Sequence, residues 1–205
     1  MSAIDNLEVF DCEQGTDSWF AARAGIVTAS TFSQVLAKGK GITRTKLLYT
    51  VAAEILTGQP TKNWGGNEYT ERGKALEAEV RDLYEASCPG VVTQVGFIRR
   101  GRIGCSPDAE VDDDGLLEIK TREPHLQVEV LEKGVLPSEN VAQVQGQLFV
   151  TGRQWCDYRS YCRGLPQLKL RVYRDAEYIA NLESELDRFI ADVDRVVEKY
   201  ARAAA

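Results

Sequence analysis

The chain has 205 residues, with 25 Lys and Arg against 31 Asp and Glu, a formal charge of −6 and 43% hydrophobic residues. That balance excludes a disordered or fibrous chain and suffices for one sizeable core, so a single domain over residues 1–205 is expected. An acidic balance excludes a broad basic coat for nucleic acid, while leaving room for a local basic path beside carboxylates that a metal neutralises. No stretch reaches the about 20 apolar residues of a membrane span. The opening residues lack the basic and apolar stretches of a secretory leader. Cys12, Cys88, Cys105, Cys156 and Cys162 follow no framework spacing, so reduced thiols and a cytoplasmic location are expected.

In chain order, residues 17–24 read as a short helix. A second runs from Thr28 or Ser30, either of them its N-cap, to Leu36. Gly39-Lys40-Gly41 punctuates. A third helix spans residues 43–56, with Leu47, Leu48, Val51, Ile55 and Leu56 at helical spacing and Gly58 as its stop. Residues 59–66 form a loop. Residues 69–86 form a helix with an apolar stripe of Leu76, Val80, Leu83 and Tyr84. A β-branched strand follows at 91–98, then a hairpin with arms at 102–111 and 116–120 around Asp112-Asp113-Asp114-Gly115. Helices are expected at 127–131 and at 138–150, the latter capped by Ser138. Strands are expected at 154–162 and 167–173. A long amphipathic helix at 175–201 carries Leu182, Leu186, Phe189, Ile190, Val193, Val197 and Tyr200 on one face, for the core or a subunit contact. This order fits an α/β fold, a mixed central β-sheet flanked by helices.

The chemistry concentrates in Gly104-Cys105-Ser106-Pro107-Asp108, followed ten residues after Asp108 by Glu118-Ile119-Lys120. Side chains of equal parity share one face of a strand, so Glu118 and Lys120 stand together while Ile119 faces the opposite, buried side. The hairpin brings Asp108 near Glu118, and two hard oxygen donors suit Mg²⁺ or Mn²⁺. Lys120 would orient or help deprotonate water, or stabilise charge on the phosphoryl oxygens. Asp, then Glu-x-Lys, is the pattern of restriction-endonuclease-like nucleases, although a solvated strand edge with a surface ion pair carries the same letters. Three further segments bear on the choice. Trp19-x-x-x-Arg23-x-Gly25-x-x-Thr28-Ala29-Ser30 precedes a helix and can build an anion pocket from Arg23, the Ser30 hydroxyl and backbone N–H groups. Gly73-x-x-x-Glu77 sets a carboxylate on one helix, and Ala142-Gln143-Val144-Gln145-Gly146-Gln147 sets amides on another. Taken singly, each also reads as a surface pair, a solvated face or ordinary helix formers.

In this order, from about Gln14 to Thr151, the segments resemble the lambda exonuclease / YqaJ-type viral recombinase (phage alkaline exonuclease) family. The resemblance implies a restriction-endonuclease-like core. It implies Asp108, Glu118 and the main-chain carbonyl of Ile119 as metal ligands, with Glu77 completing a second metal position or the water network. Lys120 would be the catalytic lysine, assisted by Gln143, and Arg23 and Ser30 would bind the 5′-phosphate. Two Mg²⁺ ions are implied, with Mn²⁺ able to substitute. The implied reaction is 5′-to-3′ digestion of one strand of linear double-stranded DNA to mononucleotides, leaving 3′ overhangs for recombination by strand annealing. Implied partners are DNA ends, a single-strand annealing protein and two further copies in a ring-shaped trimer, in a bacterial cell and encoded by a phage or prophage. The chain departs from the family at Ala109, where a Gly is usual. It also departs at 97–102, where an acid of the lambda enzyme is missing and Arg99, Arg100 and Arg102 form a basic cluster, either a phosphate contact or an exposed turn. Alternatives are a restriction-type endonuclease, an iron–sulfur RecB-like nuclease suggested by Cys156-x5-Cys162, and a non-catalytic protein that binds DNA ends.

Overall fold

The computed structural model describes residues 7–37, 41–61 and 68–202, with 68–72 and 74 described by backbone alone. The expected punctuation at Gly39 and Lys40 and most of the loop at 59–66 lie outside the described residues. The elements are β1 (Leu7–Phe10), α1 (Asp17–Arg23), β2 (Val27–Thr28), a 3-10 turn (Ala29–Thr31), α2 (Phe32–Val35), α3 (Ile42–Thr57) and α4 (Glu68–Glu85). They continue with β3 (Val92–Thr93), β4 (Phe97–Arg100), β5 (Ile103–Cys105), β6 (Ala109–Val111) and β7 (Gly115–Thr121). After these come α5 (Pro124–Lys133), α6 (Ser138–Thr151), β8 (Trp155–Tyr161), β9 (Leu168–Tyr173) and α7 (Ala176–Ala201).

The fold is α/β, but its strands form two mixed sheets rather than one, in the orders β1-β4-β5-β2 and β3-β6-β7-β8-β9. The strand expected over 91–98 is cut in two. Thr93 pairs with Glu110 in the second sheet, whereas Ile98 pairs with Val9 and Cys105 in the first. Gly96 stands at the cut, where a Cβ would lie 2.1 Å from the Cys12 carbonyl oxygen and 2.6 Å from that of Phe10. Only a residue without a side chain passes there. The hairpin arm expected over 102–111 is cut likewise. Pro107 has no N–H to give a ladder, so β5 stays in the first sheet and β6 belongs to the second. β1, which the sequence reading lacked, pairs with β4 along the edge of the first sheet.

Helix starts also differ. Ser138 is the first residue of α6 and caps nothing, because Pro137 occupies the cap position. The expected helix from Thr28 or Ser30 opens as the 3-10 turn, and the Thr28 hydroxyl makes no cap bond. It is engaged by Arg23 and Ser30 instead. α5 begins at Pro124, three residues early, with proline in the first turn, where a missing N–H costs nothing. Asp175 does cap α7, accepting from the Tyr178 N–H.

The parallel pair β7–β8 needs a crossover, and α5 and α6 supply it. α6 is buried along most of its length. Ala142, Phe149 and Val150 join a core with Val27, Ile98 and Ile103 of the first sheet, while Val144 and Leu148 pack with Leu116, Cys156 and Tyr158 of the second. α7 lays Ile179, Leu182, Leu186, Phe189 and Val193 into the first of these cores, so that stripe is core, with Tyr200 left exposed beyond it. Gly146 lets α6 press onto the 3-10 turn, since a Cβ there would meet the Phe32 ring at 2.4 Å.

The other face of the second sheet carries α4, whose Leu76, Val80 and Tyr84 pack on Leu117 and Ile119. Leu83 points out of this stripe and is exposed. Polar clamps fix the helix further. The Tyr161 hydroxyl donates to Glu79 at 2.7 Å, Arg81 Nε donates to the Asp108 carbonyl at 3.2 Å, and the Tyr84 hydroxyl donates to Asp157 at 2.7 Å. Asp157 also takes a two-pronged bond from Arg171, both arms 2.9 Å. Burial would raise the Asp157 carboxyl, but Arg171, the Tyr84 hydroxyl and Arg159 together hold it below its ordinary value. A lowered carboxylate stabilises fully above its unfolded value, near pH 4, and loses that contribution as pH falls through the folded one. Asp157→Asn should therefore cost about 2 kcal/mol at pH 7. The difference from the parent should shrink by pH 3 in urea unfolding; an equal difference at both pH values would contradict this.

Candidate active site

Glu118 lies in the middle of β7, on the face that α6 covers, and is only 2% exposed. Its Oε1 accepts from Gln143 Nε2 at 2.6 Å and lies 2.6 Å from Lys120 Nζ, while its Oε2 accepts from Gln147 Nε2 at 2.6 Å. Strand parity thus puts Glu118 and Lys120 side by side, as expected, and Ile119 on the α4 side. Burial pulls the Lys120 ammonium down, yet the charge and hydrogen bond of Glu118, with Asp108, outweigh it and raise the group. Lys120 is charged at neutral pH.

Asp108 comes from the segment that joins the two sheets. Its N–H donates to the Leu117 carbonyl at 3.0 Å and its Oδ2 accepts from the Ile119 N–H at 2.5 Å. In a strand the N–H and C=O of one residue share a side. The Ile119 carbonyl therefore faces the same edge, beyond the first β6 pair, Ala109 with Leu117. Burial pushes the Asp108 carboxyl up, the charges of Glu118 and Glu77 add to it, and the Ile119 N–H and Lys120 offset this only in part. Carboxylates from α4, the β5–β6 segment and β7 thus repel one another across one locus, and Lys120 offsets part of that repulsion. Hard oxygen donors set close enough to repel suit a divalent cation, so the chemistry of the donor set fits Mg²⁺ or Mn²⁺. Among the described residues no three Asp, Glu, His or Cys side chains are grouped so that they could hold a metal ion by themselves. Protein donors engage both Glu118 oxygens and one of Asp108.

Beside this locus is a cleft of about 150 Å³. Its floor is built by α1, where Trp19 and Arg23 are one turn apart. The Arg23 guanidinium lies 3.9 Å over the Trp19 ring and donates to Ser106 Oγ at 3.2 Å and Thr28 Oγ1 at 3.4 Å. Trp19 Nε1 donates to the same Ser106 oxygen at 2.9 Å. With two bonds accepted, the Ser106 hydroxyl has its own proton left to give. Ser30 Oγ sits 3.1 Å from Thr28 Oγ1 and is exposed. Burial lowers Arg23 to about 10, with Cys105 and Glu54 pulling it back up, so it stays cationic at neutral pH. Among the described residues Arg23 is the single charged side chain lining the cleft, and Gln143 and Gln147 line it too. The anion-type cleft and the carboxylates thus share the two amides of α6.

Two expected features separate in the structure. Arg99, Arg100 and Arg102 form no joint patch, because their side chains go to different elements: Arg99 pairs with Glu8 at 2.7 Å, Arg102 with Asp194 at 2.8 Å, and Arg100 donates to the Phe149 carbonyl at 3.3 Å. All five cysteines are free thiols. Cys156 and Cys162 stand six residues apart along extended chain, about 20 Å, too far to share one cluster. Several site residues had been given no role. Gln147 was findable, since it follows Gln143 by four residues on one helix face. Gln14, which donates to the carbonyls of Val95 and Pro107 at 3.0 Å each, and Arg81 act on backbone far away in sequence, and no local pattern announces them.

Residues 18–154 match the YqaJ-like viral recombinase domain family. The crystal structure of the alkaline exonuclease LHK-Exo from Laribacter hongkongensis is 35% identical, covers 92% of this chain and 98% of that one, and superposes with a TM-score of 0.82. Its complex with dAMP has the same identity and coverage and a TM-score of 0.84. A phage-related exonuclease from Haemophilus somnus 129PT is 14% identical over 88% of this chain and 96% of that one, with a TM-score of 0.64, a likeness of fold alone. No curated protein sequence matches significantly. The restriction-endonuclease-like core expected from the sequence is the fold of these alkaline exonuclease neighbours.

Proposed function

The chain belongs to the YqaJ-like viral recombinase domain family and is a nuclease acting on DNA, and on that premise we propose that it is a metal-dependent 5′-to-3′ exonuclease. It would digest one strand of linear duplex DNA to mononucleotides and leave 3′ overhangs for recombination by strand annealing. The observation that carries this reading is the cleft of Arg23, Ser30 and Ser106, walled by the same amides, Gln143 and Gln147, that hold Glu118. An arginine fork and hydroxyl donors suit a phosphate. A small anion cleft adjoining the hydrolytic carboxylates suits a terminal phosphate, one nucleotide from the bond to be cut. The dAMP in the LHK-Exo complex supports a nucleoside monophosphate as product.

Asp108, Glu118 and the Ile119 main-chain oxygen would hold Mg²⁺, with Mn²⁺ able to substitute, and Glu77 would complete a second position. When bound, such ions supply Lewis-acid polarisation of the scissile phosphate and a more acidic water. Lys120, charged and held by Glu118, would orient the attacking water and neutralise charge gathering on the phosphoryl oxygens. Gln143, bonded to the same Glu118 oxygen as Lys120, would assist Lys120 beside the attacking water. In the hydrolysis the water oxygen bonds to phosphorus, the P–O3′ bond breaks, and the leaving oxygen takes a proton to become a 3′-hydroxyl. The released nucleotide keeps its 5′-phosphate, and the trimmed strand begins with a new one, ready for the Arg23 cleft. Partners would be DNA ends, a single-strand annealing protein and two further copies in a ring-shaped trimer. The setting would be the cytoplasm of a bacterium carrying the gene on a phage or prophage; among the described residues no helix is long and apolar enough to cross a membrane.

Lys120→Ala should lower turnover by about 100-fold or more while DNA and Mn²⁺ binding persist. Turnover within a few-fold of the parent would remove Lys120 from the chemistry. Arg23→Ala should cut the preference for 5′-phosphorylated over 5′-hydroxyl ends by about ten-fold, the worth of a charge-assisted bond pair. Digestion rates on the two substrates measure it, and an unchanged ratio would place the terminal phosphate elsewhere.

A further inference from the structure

Counting lone pairs on Glu118 separates its two oxygens. An ionised carboxylate offers about four lone-pair directions, two on each oxygen. Oε1 is filled, with Gln143 Nε2 and Lys120 Nζ both at 2.6 Å. Among the described residues Oε2 has one partner, Gln147 Nε2 at 2.6 Å, which leaves one direction open. The Gln147 amide cannot turn over, because its oxygen would then face the carboxylate. In the orientation it holds, that oxygen is buried with no hydrogen-bond partner among the described residues. A buried amide oxygen without a partner is costly, and α6 accepts this cost at a residue only 1% exposed. A methionine or leucine would fill the same space without it. The bond to Oε2 is what the polar residue provides.

Resting on the metal-dependent reading above, we propose that Gln147 is the positioning residue of the cation site: it fixes the rotation of the Glu118 carboxylate so that the open direction of Oε2 is the one presented to the metal. Gln143 and Lys120 occupy the other oxygen and serve the reaction instead. The two glutamines, one helical turn apart and bonded to one carboxylate, thus divide metal affinity from turnover. Partners that orient a ligating group set metal affinity by about ten-fold or more when lost.

The test compares Gln147→Met and Gln143→Met, each close in shape to glutamine but without its donor. Binding of Mn²⁺ alone, followed by electron paramagnetic resonance of free Mn²⁺ without DNA, should be about ten-fold weaker or more in Gln147→Met. In Gln143→Met it should stay within about three-fold of the parent while turnover falls. The Mg²⁺ concentration for half-maximal digestion should move in step with Mn²⁺ affinity. Thermal unfolding in EDTA checks that each variant folds, and Gln147→Asn, one methylene too short to reach, replaces Gln147→Met if that variant does not. Parental Mn²⁺ affinity in the folded Gln147 variant, or equal weakening by both substitutions, would overturn the assignment. A parent protein that binds no Mn²⁺ and digests DNA in EDTA would overturn the metal-dependent reading and this inference with it.

Discussion

Burying an ionised carboxylate costs several kcal/mol unless hydrogen bonds and opposite charge meet it, and Glu118 is buried in the central parallel pair of the second sheet. The structure around it answers that cost. α6 brings two amides and β7 itself brings Lys120 two residues on, so each oxygen is held. α6 reaches this position because Gly146 lets it press onto Phe32 and the 3-10 turn. The same approach brings the Arg23 cleft to the far side of Gln143 and Gln147. One buried carboxylate thus ties helix placement, cleft placement and Lys120 together.

The second organising feature is the passage of Cys105-Ser106-Pro107-Asp108 from one sheet to the other. Cys105 still pairs with Ile98 in the first sheet. Ser106 belongs to the cleft through Trp19 and Arg23, and Asp108 to the carboxylates through the Ile119 N–H. Gln14 grips the Pro107 carbonyl from one side and Arg81 the Asp108 carbonyl from the other. Four consecutive residues therefore set the spacing between the cleft where an anion would sit and the place where a phosphodiester would be cut.

Much of the site was legible in the sequence because its rules are local. Parity along a strand sets Glu118 beside Lys120, helical spacing sets Arg23 one turn from Trp19, and a hairpin returns Asp108 to β7. Helix α7 declared its buried face by period alone. What was hidden depends on contacts between residues distant in the chain. The splitting of 91–98 turns on Gly96 meeting carbonyls of residues 10 and 12, and β1 is a strand only because β4 offers it an edge. Ser138 looked like a cap because it is a good cap residue, but Pro137 before it already holds the extended conformation that a cap position needs. The arginines at 99, 100 and 102 looked like one patch in the sequence and lead to three different elements in the fold.

The central claim is that the carboxylates and the Arg23 cleft act on one 5′ end. Linear duplex DNA labelled separately at its 5′ and 3′ ends, digested with Mg²⁺ and with EDTA, measures it most directly. The account predicts early release of the 5′ label as mononucleotide, with Mg²⁺ only, and a closed circular duplex left intact. Early release of the 3′ label, or internal cutting of the circle, would contradict it.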